Sequence, residues 1–279
     1  MGRADDRTGR RRPRGTRDDA GPSRKSHAWN IPFARRCRAA DEAIVYGDHN
    51  IVLIIPALNE EATIGPLLRR VDRTVVDLVV VVDNGSTDRT AELAAAGGAT
   101  VLRETRRGYG SACLKALRDG PTGDLVVFMD GDGSDDPAEI VGLLNVLVSG
   151  NVDLVIGSRI LGGADEGALT PLQRFGSVLT CFLVRVLWGV RYTDLGPFRA
   201  IRREALERLE MADPDFGWTV EMQVKAAQRG LRTAELPVHR AVRKAGNSKV
   251  SGTIVGSYLA GTRILGYVIK AKLREVLGR

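Results

Sequence analysis

Short apolar runs alternate with segments of helical periodicity through the first half of the chain. Five of these runs are too short for a helix and rich in Val, Ile and Leu, which predicts β-strands. The runs are residues 50–55, 78–83, 100–102, 125–129 and 152–156. Apolar residues between them recur at helical spacing, as at Ile64, Leu67 and Leu68. This alternation predicts an α/β fold with a doubly wound, mostly parallel sheet whose polar loops gather along one edge.

The pattern becomes more apolar in the second half of the chain. Residues 171–190 predict an apolar helix that is interrupted by Arg185. A membrane-spanning helix needs about 20 mostly apolar residues, so a core or interfacial helix is the better interpretation. A strand after the turn at 193–199, an amphipathic helix at 218–229 and a strand at 231–238 are predicted to follow.

Both ends of the chain are basic. Residues 1–25 hold nine Arg and Lys against four Asp, which accounts for +5 of the formal net charge of +7. Because Gly, Pro, Ser and Arg dominate this region, we predict that residues 1–45 form a disordered basic tail. The chain then divides into one α/β domain at 46–251 and a C-terminal amphipathic helix at 252–279. That helix mixes basic and apolar residues, which suits a membrane surface or the groove of a partner.

Composition narrows the compartment and the class of partner. Cys37, Cys113 and Cys181 are far apart and odd in number, so neither a disulfide framework nor a zinc site is expected. A reducing cytoplasm is predicted, since the arginine-rich N-terminus also lacks the hydrophobic segment of a signal peptide. The tail has no interleaved aromatic residues, which argues against nucleic acid binding. A basic arm beside an anionic membrane and a solvated extension without function both stay open.

The turn after the fourth predicted strand carries the strongest candidate chemistry. Its carboxylates belong to Asp130, Asp132, Asp135 and Asp136. Carboxylates this close repel and raise each other's pKa unless a cation offsets their charge. Asp130 and Asp132 are therefore predicted ligands of Mg²⁺ or Mn²⁺, with substrate phosphates completing the coordination and Gly131 allowing close approach. Asp135 and Asp136 are better explained as caps of the following helix.

Other ligand-binding loops fail against the sequence. An EF-hand loop starting at Asp130 would have Asp135 in place of its glycine and Val141 in place of its final glutamate. A dinucleotide fingerprint would have Cys113 in place of its third glycine, and no P-loop motif occurs. Phosphates must then be held by the metal and by basic groups, for which Arg107 and Arg159 are candidates.

The basic segment 240–249, with its glycine and serine, is a further candidate for holding phosphates. It precedes the last predicted helix and suits a flexible loop that closes over phosphates. A plain solvated loop is the alternative.

Five sequence motifs follow one another between residues 56 and 199. They are Pro56-Ala57-Leu58-Asn59-Glu60-Glu61, Val82-Asp83-Asn84-Gly85-Ser86-Thr87-Asp88, Met129-Asp130-Gly131-Asp132-Gly133, Gly157-Ser158-Arg159 and Thr193-Asp194-Leu195-Gly196-Pro197-Phe198-Arg199. Together they resemble family-2 glycosyltransferases, with the closest likeness to the dolichyl-phosphate mannose and glucose synthase branch. The resemblance spans about residues 50–265. It implies a GT-A-type domain, a nucleotide-diphosphate-sugar donor, Mg²⁺ or Mn²⁺, and inversion at the anomeric carbon.

The resemblance assigns roles to individual positions. With Arg107 and Gly131, which the residues themselves suggest, those predicted to bind the nucleotide donor are Pro56, Ala57, Asn59, Glu60, Asp83, Asn84, Arg107, Asp130, Gly131, Asp132 and Lys249. Within this set, Asp83 would contact the base, Asp130 and Asp132 match the DxD metal motif, and Ser248-Lys249 resembles the end of a phosphate-closing loop. Residues implied in catalysis are Asp132, Arg159, Arg199 and Glu221. Asn84 departs from the family pattern, where a second aspartate is common, and so does Gly133-Ser134, where Leu-Ser or Leu-Gln is more usual.

The acceptor is inferred from a missing motif. Relatives that glycosylate hydroxyl groups commonly carry a Glu-Asp pair where this chain has Trp218-Thr219-Val220-Glu221-Met222. A phosphate acceptor is already ionised and needs no general base. We therefore predict a peripheral enzyme at the inner, cytoplasmic face of the membrane, which moves mannose or glucose from a UDP- or GDP-sugar to a polyprenyl phosphate.

Three alternatives to this function stay open. One is a glycosyltransferase acting on a small soluble acceptor such as a phosphorylated acid, with Glu221 as base. Another is a nucleotidyltransferase, which the absence of a Gly-rich, Lys-bearing loop after the first strand disfavours. The last is a basic scaffold for nucleic acid, which would leave Asp130 and Asp132 unexplained.

Overall fold

The structure, a computed structural model, describes Tyr46, residues 49–243 and residues 254–278, with only the backbone of 254–260. The predicted disordered tail at 1–45 lies outside the described residues, as do Cys37 and the predicted phosphate-binding Ser248-Lys249.

The described strands form one seven-stranded sheet. They are β1 (Ile51–Ala57), β2 (Leu78–Asp83), β3 (Thr100–Arg103), β4 (Leu125–Phe128), β5 (Leu154–Ser158), β6 (Arg199–Arg202) and β7 (Thr233–Pro237). Their order across the sheet is β3-β2-β1-β4-β6-β5-β7. All neighbours are parallel except β6, which is antiparallel to both β4 and β5. The predicted mostly parallel sheet is confirmed, and β6 is the element that makes it mixed.

Helices cover both faces of the sheet. They are α1 (Glu61–Arg70), α2 (Thr90–Ala96), α3 (Tyr109–Asp119), α4 (Ile140–Ser149), α5 (Arg159–Gly162), α6 (Pro171–Trp188), α7 (Arg203–Leu209), α8 (Trp218–Gln228) and α9 (Ile254–Val276). Helices α1, α2 and α4 pack on one face, and α3 and α6 to α9 pack on the other. In β1, Val52 and Ile54 belong to the core beneath α3 and α6 to α9, whereas Leu53 belongs to the core beneath α1, α2 and α4. Burial on both faces explains the continuous apolar runs of the central strands.

Capping residues define both ends of α6. The Thr170 hydroxyl accepts a hydrogen bond from the Gln173 amide at 3.2 Å, and the Gln173 side chain accepts one from the Thr170 amide at 2.9 Å. Gly189 ends the helix with φ 76°, a left-handed conformation that glycine adopts without strain. The predicted apolar helix at 171–190 is thus present as one 18-residue helix.

The C-terminal helix α9 packs on α6 and α8. Val268 is fully buried in the core. Near the end of the helix, Glu275 accepts hydrogen bonds from the Trp188 indole at 2.6 Å and from the Gln228 amide at 3.2 Å. One face of α9 therefore completes the domain, while its other face stays exposed. None of the helices in the described part of the chain is long and apolar enough to cross a membrane.

Candidate active site

The carboxyl ends of the parallel strands open into a cavity of about 530 Å³. The predicted residues that line it are Pro56, Ala57, Glu60, Asn84, Arg107, Asp130, Gly131, Asp132 and Arg159. Helices α6 and α9 contribute Gln173 and Ile264 to the opposite wall. The sheet edge thus gathers most of the predicted donor-binding residues in one place, as expected for an open parallel sheet.

Asn59 and Asp83, both predicted to bind the donor, do not line the cavity but connect the loops beside it. Asn59 has a left-handed backbone with φ 53°, and its side chain accepts a hydrogen bond from the Thr87 amide at 2.8 Å. The buried Asp83 carboxylate accepts one from the Ser86 amide at 2.9 Å. These bonds join the loops after β1 and β2, and the predicted contact of Asp83 with a base stays a prediction.

The Asn84 side chain holds the segment that carries Arg107. Its amide nitrogen donates to the carbonyl oxygens of Glu104 at 3.2 Å and Arg106 at 2.7 Å, and its oxygen accepts from the Gly108 amide at 2.9 Å. An aspartate here would place a carboxylate oxygen against two carbonyl oxygens. The departure of Asn84 from the family pattern therefore has a structural reason in this chain.

Asp130 and Asp132 stand at the end of β4, and both are ion-paired with arginine. One Arg240 nitrogen lies 3.1 Å from Asp130 and 3.6 Å from Asp132, and Arg243 lies 3.1 Å from Asp132. Between the two carboxylates, a Cβ atom on Gly131 would come within 3.3 Å of the Pro56 carbonyl oxygen. Glycine at this position thus keeps the metal motif tight against β1.

The two further aspartates of the turn have different roles. Asp136 accepts a hydrogen bond from the Ala138 amide at 3.0 Å, so the predicted cap is present. Asp135 is not a cap, and that prediction is wrong: its side chain is buried and pairs with Arg240 at 2.9 Å. Its second carboxylate oxygen is buried without a hydrogen-bond partner among the described residues. The sequence gives no signal for this, since the pairing depends on a residue more than a hundred positions away.

Burial and charge act in opposite directions on the two metal-motif carboxylates. Burial raises the pKa of Asp130 to about 6, opposed by Arg240 and reinforced by the neighbouring aspartates. Burial also acts to raise the pKa of Asp132, but Arg240, a hydrogen bond from Ser134 and Arg243 together lower it. The environment therefore favours the ionised form at Asp132 far more than at Asp130.

The charge of the turn fits a divalent cation. Four carboxylates, those of Glu60, Asp130, Asp132 and Asp135, face the two guanidinium groups of Arg240 and Arg243, which leaves two negative charges. Within the described ranges, no group of three or more His, Cys, Asp or Glu side chains could hold a metal ion. One or two carboxylates are enough for Mg²⁺ when substrate phosphates and water complete its coordination. Asp130 and Asp132 would supply these protein ligands for Mg²⁺ or Mn²⁺.

Arg159 is oriented by a buried aspartate that the sequence analysis did not single out. Asp194, which is fully buried, accepts from two Arg159 side-chain nitrogens at 2.7 and 2.8 Å and from the Arg159 amide at 3.0 Å. Burial acts to raise the pKa of Asp194, but its bonds from Arg159 and Ser177 lower it. The fifth motif contains Asp194, so its place there is the signal that could have identified it.

Arg199 and Glu221 do not line the cavity. The fully buried Arg199 guanidinium donates to the carbonyl oxygens of Gly196 and Thr219, each at 3.1 Å. Glu221 pairs with Lys225 at 2.8 Å and accepts a hydrogen bond from the Asp213 amide at 2.7 Å. Both side chains hold backbone segments behind the cavity wall, and their predicted catalytic roles stay predictions.

Several cavity residues were missed by the sequence analysis or were only loosely implied by it. They are Tyr109, Gln173, Asp215, Thr219, Arg240 and Arg243. The two arginines fall in the predicted basic segment, whereas the others come from helices and turns that give no chemical signal in the sequence.

Three protein relatives share most of the chain. An uncharacterised glycosyltransferase of Mycobacterium tuberculosis is 37% identical over 75% of this chain and 94% of its own length. A dolichyl-phosphate hexose transferase of Haloferax volcanii is 32% identical over 82% of this chain and 98% of its own. An undecaprenyl-phosphate mannosyltransferase of Micrococcus luteus is 31% identical over 74% of this chain and 89% of its own. The two named acceptors agree with the predicted likeness to the dolichyl-phosphate branch.

Solved structures confirm the GT-A-like fold. Glucosyl-3-phosphoglycerate synthase from M. tuberculosis, in complex with Mn²⁺, UDP and glucosyl-3-phosphoglycerate, has a TM-score of 0.65 and 25% identity. The match covers 80% of each chain. The same enzyme has been solved with Mg²⁺ and UDP, so its structures contain the two cations that the sequence predicts here.

The family assignment rests on the part of the chain that forms most of the sheet and the metal motif. The profile of Glycosyl transferase family 2 matches residues 52–210, more than half of the chain. That range contains all five motifs and the strands from β2 to β6. The chain therefore belongs to glycosyltransferase family 2.

Proposed function

We propose that this glycosyltransferase moves mannose or glucose from a UDP- or GDP-sugar to a polyprenyl phosphate, with inversion at the anomeric carbon. It would act as a metal-dependent peripheral enzyme at the cytoplasmic face of the membrane. The observation that carries the proposal is the exposed apolar surface of α6, the helix that also contributes Gln173 to the cavity wall.

The apolar stripe of α6 runs along the whole helix. It consists of Leu172, Phe175, Val178, Phe182 and Val186, which are between 47% and 64% exposed. On α9, Ile269, Leu273 and Val276 are exposed as well. Arg174, Arg185 and Lys270 are exposed on the same two helices. Apolar residues flanked by basic ones suit the interface of an anionic membrane, from which a lipid phosphate could enter the cavity.

The pairing of the cavity carboxylates supports a phosphate acceptor. The described carboxylates that line the cavity are Glu60, Asp130, Asp132 and Asp215. Each pairs with an arginine: the first three with Arg240 or Arg243, and Asp215 with Arg263. A carboxylate held by an arginine is a poor base for a hydroxyl acceptor. An ionised phosphate needs no such base.

Acidic residues of the cavity would then bind the cation, and basic residues would bind the phosphates. Asp130 and Asp132 would hold the cation, which neutralises the diphosphate leaving group when it is bound. Arg107 and Arg159 face the cavity and would orient phosphate oxygens. Asp194 keeps the Arg159 guanidinium in one orientation, so little entropy is lost when a phosphate binds.

A second candidate acceptor is a small phosphorylated acid. The likeness to glucosyl-3-phosphoglycerate synthase favours it, because that enzyme has been solved with glucosyl-3-phosphoglycerate. The arginine-rich cavity would suit such an anion equally well. The two candidates differ in whether the apolar stripe of α6 is needed.

The experiment compares acceptors and donors directly. The donors are UDP-glucose, GDP-glucose, UDP-mannose and GDP-mannose. Sugar transfer from each donor is measured to polyprenyl phosphate in anionic vesicles and to 3-phosphoglycerate, with Mn²⁺ or with EDTA. The proposal predicts Mn²⁺-dependent transfer to the lipid. Efficient transfer to 3-phosphoglycerate with none to the lipid would move the assignment to the second candidate.

A double variant, Phe175→Asp with Phe182→Asp, tests the role of the stripe. Losing two large apolar contacts should lower turnover on vesicles by at least about tenfold, while donor binding is unchanged. The matched control is Val141→Asp on α4, an exposed apolar residue on the other face of the sheet. An equal loss in the control would show that added charge, and not the stripe, is responsible.

A further inference from the structure

Two arginines occupy the place where a cation is expected. Arg240 reaches Asp130, Asp132 and Asp135 with its two terminal nitrogens. Arg243 bridges Asp132 and Glu60, with distances of 3.1 and 2.9 Å. The guanidinium groups therefore neutralise part of the metal motif with the chain's own charge.

The backbone that carries these arginines is fixed to the metal-binding turn. The Ala241 amide donates to the Ser134 carbonyl at 2.9 Å, and the Arg240 amide donates to Gly163 at 3.1 Å. Asp165 accepts from the Val242 amide at 3.1 Å. The segment was predicted to be flexible from residue 240 onward, but these bonds hold the backbone of residues 240–242. This backbone thus places the two arginine side chains beside the carboxylates.

The positive charges of Arg240 and Arg243 have opposite effects on a divalent cation and on a nucleotide diphosphate. A divalent cation on Asp130 and Asp132 would lie within a few ångströms of Arg240 and be repelled by it. A nucleotide diphosphate brings negative charge, so the same guanidinium would attract it. Metal alone therefore meets a site whose carboxylates are already paired, whereas metal with a diphosphate gives each arginine a new anionic partner.

We infer that Arg240 and Arg243 are built-in counter-ions of the metal motif, which weaken metal binding in the donor-free enzyme and transfer their contacts to the donor diphosphate when it arrives. This inference rests on the proposed use of a metal and a nucleotide-diphosphate donor. It makes the binding of the two ligands cooperative, and linkage requires each to raise the affinity of the other by the same factor.

The test measures the binding of Mn²⁺ and of UDP or GDP to the full chain by titration calorimetry, without transfer. Arg240→Gln and Arg243→Gln should each bind Mn²⁺ alone more tightly, by at least about fivefold, the lower end of typical coupling. In saturating Mn²⁺, both should bind the nucleotide more weakly by a similar factor. Arg232→Gln, which removes a surface pair with Asp153, is the control and should change neither affinity.

Opposite shifts in the two affinities separate this role from a structural one, because a damaged site would bind both ligands more weakly. Arg243→Gln leaves the pair of Arg240 with Asp135 intact, so it remains informative if Arg240→Gln is unstable. Unchanged or weaker Mn²⁺ binding in both variants would overturn the inference, as would the absence of Mn²⁺ binding by any of the proteins. Failure of the unmodified chain to bind either nucleotide with Mn²⁺ would instead contradict the proposed function. The titrations with Mn²⁺ alone would still show whether the two arginines weaken metal binding.

Discussion

At the scale of single residues, Asn84 shows how one amide fixes the segment that carries Arg107. Its three hydrogen bonds all go to the backbone of residues 104–108, which carries Arg107 to the cavity. Only a side chain that both donates and accepts can make this set of bonds. The position therefore depends on the amide, although an aspartate has nearly the same shape.

Asn84→Asp should weaken nucleotide-sugar binding by about tenfold, since the contacts with the carbonyl oxygens of Glu104 and Arg106 become repulsive. The measurement is the donor KM together with kcat, and kcat at saturating donor should change little. Asn84→Ala removes the bonds without adding charge, so its donor KM should fall between those of the unmodified enzyme and Asn84→Asp. A donor KM equal to that of the unmodified enzyme in Asn84→Asp would contradict the role of the amide.

A second residue, Asp194, links the active site to stability. Its folded pKa is below the usual value near 4 for Asp, so its stabilising effect is present above that pH and is lost as the pH falls through the folded pKa. Asp194→Asn leaves Arg159 without its buried counter-ion and should cost about 3 kcal/mol of unfolding free energy at pH 7.

Thermal unfolding between neutral and acid pH provides the measurement. The gap between Asp194→Asn and the unmodified protein should narrow below about pH 4, as the native carboxyl group becomes protonated. Ser177→Ala removes an uncharged partner of Asp194, whose bond is 3.0 Å long, and its smaller deficit should vary much less with pH. A gap for Asp194→Asn that stays constant down to pH 2 would contradict the ion-pair explanation.

At the scale of elements, the segment at 239–243 acts as a short extension of the sheet edge. Asp165 fixes it from the neighbouring turn, with bonds to the Val242 amide at 3.1 Å and to the His239 ring at 2.9 Å. Ala164, in the same turn, forms an isolated parallel β-bridge with Arg240. The position of the arginine pair thus depends on a residue that does not line the cavity.

Asp165→Ala should raise the donor KM severalfold and lower the melting temperature only slightly, because Asp165 is exposed and its bonds hold one segment. The adjacent Glu166→Ala is the matched control and should behave as the unmodified enzyme. If Asp165→Ala lowered the melting temperature strongly while the donor KM stayed the same, the residue would serve stability and not the site.

Sequence reasoning succeeded for elements whose signals are local. The strand runs, the apolar helix at 171–190 and the polar loops at the strand ends depend on neighbouring residues, so the fold and most of the residues that line the cavity could be predicted. The reversal of β6 and the pairing of Asp135 with Arg240 depend on contacts between distant segments. The orientations of Arg199 and Glu221 do so as well, since a polar residue in a motif can face either the cavity or the backbone behind it.

At the scale of the whole molecule, the exposed faces of α6 and α9 and the basic chain ends predict salt-sensitive binding to membranes. Flotation with vesicles should show binding that increases with anionic lipid and decreases as ionic strength rises, because screening weakens the electrostatic part. A chain lacking residues 1–25 should keep most of its binding and its catalysis on a short-chain acceptor. Binding that disappears with the tail would place the membrane contact there, and not on the helices.

The reversed strand β6 also has a consequence for how the protein is made. Val127 of β4 pairs with Ala200 of β6, more than seventy residues later, and β5 reaches β4 only through β6. Until residue 202 has left the ribosome, β4 has β1 as its single partner and leaves an apolar edge open. Such distant pairing slows folding and exposes the nascent chain to aggregation. The strand that carries the metal motif is therefore among the last parts of the sheet to be enclosed during synthesis.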